Sequence, residues 1–173
     1  GSVMLNPNQT YVIDSEFAFI GPIGFDLGAV VANLLMASIA MNVREKPEYA
    51  QKMERAAYEV IEKFGQKFEA LLSSGTGGMY VNGYWNDGDT KYKEALAKKI
   101  TADVIKESVG FAGCKMARRQ LGVAHILEIE SIEDETKRAI AETKALETAR
   151  KMVLNYESID SAEKLKNLIT EAK

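Results

Sequence analysis

The sequence has little with which to fix structure covalently. It has one cysteine, Cys114, so no disulfide can form within the chain, and a reducing cytoplasm is its natural setting. One histidine, His125, leaves no His cluster for a metal. The chain also lacks an excess of positive charge: its formal net charge is -3. It therefore has no broad attraction for nucleic acid or for an anionic membrane. No signal-peptide pattern precedes the first charged residues. No internal repeat and no low-complexity tract interrupts the chain.

The remainder is that of an ordinary globular protein, with 46% hydrophobic and 27% charged residues. Its 173 residues suffice for one domain with a real core. The most apolar run, 23–43, carries no formal charge from Leu27 to Val43. Asp26 stands near its start, and Asn33, Ser38 and Asn42 interrupt it. It falls short of the ~20 predominantly apolar residues a membrane span needs, so it reads as a buried core helix.

The predicted elements are mainly α with a short N-terminal β-hairpin. Val3-Met4-Leu5 and Tyr11-Val12-Ile13 are β-prone runs around the turn formers Asn6-Pro7-Asn8-Gln9. Residues 15–25 read as loop, and Asp26 as the N-cap of the first helix. Pro47-Glu48 opens a second helix, with Met53, Ala57, Val60, Ile61, Phe64, Phe68 and Leu71 as its apolar face. Residues 73–89 hold five glycines and read as a long loop. A third helix starts near Asp89-Thr90, with Leu96, Ile100 and Val104 on one face, and a fourth covers Phe111 to Gln120, ending at Gly122. Glu133 to Asn155 is amphipathic, with Ile140, Ala141, Leu146, Ala149 and Val153 expected inside. Ser161 to Ala172, capped by Asp160 or Ser161, closes the chain.

The chemistry concentrates in Tyr11-Val12-Ile13-Asp14-Ser15-Glu16-Phe17. Residues two apart in an extended chain share a face, so Asp14 and Glu16 project together. Two such carboxylates can share Mg²⁺ with phosphate oxygens, or they can be solvated acids at a strand end. The order of hairpin, acid pair, Gly-Pro loop and Asp-initiated apolar helix resembles the kinase-like fold of aminoglycoside, choline and methylthioribose kinases. The longer string from Phe17 to Ala29, Phe-Ala-Phe-Ile-Gly-Pro-Ile-Gly-Phe-Asp-Leu-Gly-Ala, is similar to 5-methylthioribose kinases in particular. So is the block from Val109 to His125, which contains Arg118-Arg119.

The resemblance implies that these residues are the C-terminal helical lobe of a protein-kinase-like (α+β) fold, one domain over 1–173 that is incomplete at its N-terminus. It implies an enzyme that moves the γ-phosphate of ATP to 5-methylthioribose in methionine salvage, with ATP and Mg²⁺ as its cofactors. Asp14 and Glu16 would hold the metal, and Arg118 with Arg119 the sugar. Asp26 would support the catalytic loop through hydrogen bonds to its backbone. The catalytic Asp of a His-Gly-Asp-Leu-His-Thr-Gly-Ser loop is expected upstream of Gly1, with a missing N-terminal lobe, so residues 1–173 alone should be inactive. Gly1-Ser2 is either the end of that loop or a cloning scar, and Ser2 is not assigned to the metal. A cytoplasmic homodimer is also implied.

Five residues have bland readings to set beside any functional one. Without the resemblance, Arg118-Arg119 reads as a solvated surface pair. His125, among apolar neighbours, reads as a packed structural residue, and Cys114 as a buried, unreactive thiol. Trp85 either closes over an apolar methylthio group of the substrate or anchors its loop to the surface. Rival functions are another aminoglycoside- or choline-type kinase, which would recruit acids to a cationic substrate, and a non-catalytic helical binding module.

Overall fold

The chain's first long helix, α1 (Gly24–Val43), is built to be surrounded. Leu27, Val31, Ala32, Leu35, Met36 and Ala40 recur at three- and four-residue steps and are buried. Each large side chain among them contributes about 1.5–3 kcal/mol on burial. In the computed structural model, which describes residues 3–13, 18–74 and 90–170, α1 packs on α2 (Pro47–Ser74), α3 (Thr90–Leu121) and α5 (Glu135–Asn155). The short α4 (Leu127–Glu130) closes one end, and α6 (Ala162–Thr170) lies against α2 and α5. The architecture is mainly α, as expected. By length and composition α1 could cross a membrane, but it is the core helix of this bundle.

The hairpin pairs β1 (Val3–Leu5) with β2 (Thr10–Val12), antiparallel, with Met4 opposite Tyr11. Asn6 makes the turn: its Oδ1 accepts from the backbone N–H of Asn8 at 2.9 Å and of Gln9 at 2.8 Å. All of β2 is exposed.

Asp26 is not the N-cap of α1. The helix starts two residues earlier, at Gly24, behind Ile23. The reason is packing: a Cβ on Gly24 would lie 2.8 Å from the backbone N of Ser108, and one on Gly28 would lie 2.5 Å from the Ser108 carbonyl oxygen. Only glycines let the first turns of α1 come this close to α3. The two helices run parallel, since Gln120 of α3 reaches the Met36 sulfur at 3.6 Å further along. At the other end of α1 the chain reverses through Glu45, whose φ of 60° is left-handed. Lys46 N–H donates to the Met41 carbonyl at 2.9 Å and Glu45 N–H to that of Asn42 at 3.0 Å. The Lys137 ammonium holds the Glu45 carboxylate at 2.7 Å.

The third and fourth expected helices are one helix. α3 runs 32 residues without a break. Glycine weakens a helix but does not end it. Gly113 is there for packing, because its Cβ would meet the Ala149 carbonyl oxygen of α5 at 2.8 Å. The buried face of α3 is Ala97, Thr101, Val104, Ile105, Ser108, Val109, Ala112, Gly113 and Met116, so Leu96 and Ile100 lie at its margin. On α2 the buried line is Ala50, Ala57, Ile61, Gly65 and Leu72; Leu71 is exposed. On α5 Ala141 and Ala149 are buried as expected, whereas Ile140 and Val153 face outward. Small residues occupy the α5 core positions because α3 sits close. Asp134, not Glu133, starts α5, its carboxylate accepting from Thr136 and Lys137 N–H. Ser161 caps α6 by accepting from Lys164 N–H.

Two outcomes test this packing. Gly28→Ala should cost about 1–3 kcal/mol, read as a lower urea midpoint, whereas Gly110→Ala should cost less. The difference follows from the contacts: the Cβ at Gly110 meets only the Tyr156 ring, at 3.3 Å. An unchanged midpoint for Gly28→Ala would show that α1 and α3 need not approach so closely. Tyr58 is the second. Its hydroxyl donates to Glu54 at 2.7 Å, and burial first, then Glu54, pushes its pKa far above the ordinary phenol value. The folded state therefore keeps a proton that the unfolded state loses, so this group lowers stability as pH rises past the ordinary phenol pKa. Alkaline titration followed by phenolate absorbance should find a tyrosine that ionises only on unfolding, and Tyr58→Phe should remove it.

Candidate functional site at the end of helix α3

Helix α3 ends in three cations, Lys115, Arg118 and Arg119, spaced i, i+3 and i+4, so all lie toward one side of the helix. A helix C-terminus favours positive charge. Across from them, Asp26 stands exposed in the first turn of α1, the end of a helix that favours an acid. The parallel packing of α1 and α3 brings the two elements side by side. The Lys115 ammonium lies 5.9 Å from the centroid of Phe25, a cation–π contact. Phe25 is itself fixed edge-on between Phe19, at 5.7 Å, and Phe111, at 5.5 Å. Burial holds the Lys115 pKa below the usual lysine value, and the charges of Arg118 and Arg119 push it further down; Asp26 opposes them.

Arg118 and Arg119 part company. The Arg119 Nη1 donates to the Ala124 carbonyl at 2.9 Å, which ties the helix end to the strand of chain that follows. Gly122 makes the reversal, its N–H donating to the Arg118 carbonyl at 2.9 Å. A Cβ there would lie 2.6 Å from that oxygen. Arg119 then lines a cavity of about 310 Å³ with His125, Glu130, Arg138 and Glu142, and its buried Nε has no hydrogen-bond partner. Arg118 is exposed and does not line that cavity. The arrangement offers an exposed guanidinium, a half-buried ammonium and a guanidinium clamped to the turn that follows the helix.

Several expected roles change. His125 is not packed inside; it is exposed at the rim of the Arg119 cavity. Cys114 is exposed, because it lies off the buried line of Ala112, Gly113 and Met116 on α3. Asp26 is available to hold a loop, since its carboxylate accepts no hydrogen bond among the described residues. Asp14, Glu16 and Trp85 lie outside the described residues. Among the described residues no group of three or more His, Cys, Asp or Glu side chains could hold a metal ion. Lys115 was missed by reading the arginines as a pair. Counting back three and four residues along the same helix would have found it.

In comparison with known sequences, no protein-family model matches the chain. The chain is similar to methylthioribose kinase 2 of Oryza sativa subsp. japonica, 32% identical over 172 residues, covering 95% of this chain and 40% of that protein. Methylthioribose kinase 1 of the same plant is 34% identical over 170 residues, with 93% and 39% covered. The methylthioribose kinase of Geobacillus thermodenitrificans is 32% identical over 176 residues, with 100% and 40% covered. The chain is thus a homologue of the methylthioribose kinases, and it spans about 40% of the length of the curated relatives it matches.

Arg119→Ala should release the turn after α3. The loss of a charged hydrogen bond to Ala124 should cost about 1–2 kcal/mol. Amide hydrogen exchange over residues 122–126 should accelerate in that variant and not in Arg118→Ala. Equal acceleration in both would mean that Arg119 is no clamp.

Proposed function

We propose that residues 1–173 act as the C-terminal lobe of an ATP-dependent kinase that phosphorylates 5-methylthioribose to 5-methylthioribose 1-phosphate, a step of methionine salvage. The observation that carries this reading is the similarity to methylthioribose kinases along nearly the whole chain, the cationic end of α3 included. The chemistry of that end agrees with it. A sugar has hydroxyls for guanidinium donors, and a transferring phosphoryl group needs positive charge nearby. A cationic amino sugar or amino alcohol would be repelled there.

In this reading Arg118 meets the substrate and Arg119 shapes the same helix end, with Trp85 a further candidate beside the methylthio group. Asp14 and Glu16, two hard oxygen donors, suit Mg²⁺, which would neutralise charge on the phosphates. Asp26 orders the catalytic loop from the start of α1. The base that takes the sugar's hydroxyl proton, and the nucleotide-binding lobe, belong to chain outside residues 1–173. Residues 1–173 alone are therefore inactive. The working enzyme is a homodimer in the cytoplasm.

The test is phosphate transfer by the complete kinase. Asp14→Asn and Arg118→Ala should each reduce kcat/KM for 5-methylthioribose at least 100-fold, on the scale of a lost electrostatic contact to the transition state. Transfer to an aminoglycoside or to choline in preference to 5-methylthioribose would overturn the assignment.

A further inference from the structure

Lys115 has no part in the reading above as the arginines have, yet it is the most constrained cation of the three. Its stem is partly buried, and its ammonium is fixed against Phe25, which Phe19 and Phe111 hold edge-on. Among the described residues it has no hydrogen bond and no ion pair. It lies one helical turn before Arg118, on the side of α3 that faces the start of α1. Among the described residues, an ammonium placed in this way, beside two guanidinium groups and a single carboxylate, stands in an excess of positive charge that an added anion would balance. Burial first, and then both arginines, lower its pKa, so the charged ammonium gains from an anion placed beside it.

We propose that Lys115 is a second ligand-binding cation of this site, beside Arg118, and takes the phosphate of a sugar phosphate, leaving the sugar hydroxyls to Arg118. This rests on reading the site as that of a sugar kinase and deepens it. It separates two tasks by chemistry. An ammonium is a compact point charge suited to a phosphate dianion, and the planar guanidinium fork suits directed hydrogen bonds to hydroxyls. The aromatic seat keeps the lysine from folding away into solvent, so little ordering remains to be done when the anion arrives. Lys115 thereby discriminates the phosphorylated product from the neutral sugar.

The experiment uses the complete kinase with selectively labelled lysine and arginine side chains, followed by NMR during titration with 5-methylthioribose 1-phosphate and, separately, 5-methylthioribose. The Lys115 signal, assigned with Lys115→Arg, should shift with the sugar phosphate and stay still with the neutral sugar. Lys115→Met should weaken sugar-phosphate binding about tenfold, and Lys115→Arg should retain most of it, on the usual worth of a charge-assisted contact. Thermal melting of each variant checks that it is folded. If the Arg118 signal shifts with the sugar phosphate and the Lys115 signal does not, this inference is wrong and the kinase reading stands. If neither moves at millimolar ligand, both fail. If Lys115 shifts equally with the neutral sugar, the division of tasks is wrong.

Discussion

The close approach of α1 to α3 at Gly24 and Gly28 is the constraint from which the remaining geometry follows. No side chain separates the two backbones there, and a methyl group at Gly28 would overlap the Ser108 carbonyl oxygen at 2.5 Å. Because the helices run parallel, this contact sets both how deeply α1 is buried and which residues of α3 stand beside its first turn. Phe25 and Asp26 are carried to Lys115 by that contact. The same logic operates on the other side of α3, where Gly113 admits the backbone of α5. α3 is thus held between two helices by small residues on both faces.

The site is an electrostatic consequence of that packing. A helix start with its acid and a helix end with its three cations lie next to each other, so each helix end carries the charge it favours. Burial first, and then the two arginines, hold the Lys115 pKa below the usual lysine value, despite Asp26. One of the three cations is spent on structure, through the bond from Arg119 to Ala124. The other two are not tied in this way, one exposed and one seated on an aromatic ring.

Much of the bundle was legible in the sequence because it rests on apolar periodicity. The extents of α2 and α5, the hairpin turn at Asn6 and the cap at Ser161 all follow from local chemistry. The failures share one cause. A glycine reads locally as a stop, while here Gly24, Gly28 and Gly113 mark helix–helix contacts that no local pattern reveals. The start of α1 was therefore placed at Asp26, and α3 was divided before Phe111. Lys115 lies within the expected fourth helix and was passed over because the arginines were read as a pair. On the site, the arginines and Asp26 were found through resemblance to a family, whereas the clamp on Arg119 depends on the turn at Gly122 and is visible only in three dimensions. The pairing of Asp14 with Glu16 falls outside the described residues.

An unbroken α3 also makes a lever. Its 32 residues extend about 48 Å at the rise of an α-helix. The fulcrum is the contact at Ser108, and Arg118 lies ten residues beyond it, about 15 Å away. A tilt of about 4° at the fulcrum would swing the arginine by about 1 Å, a misplacement that can cost an enzyme on the order of 100-fold in rate. A methyl group added far from any reacting atom, where the two backbones touch, would thus be felt at the tip of the helix as a change in aim.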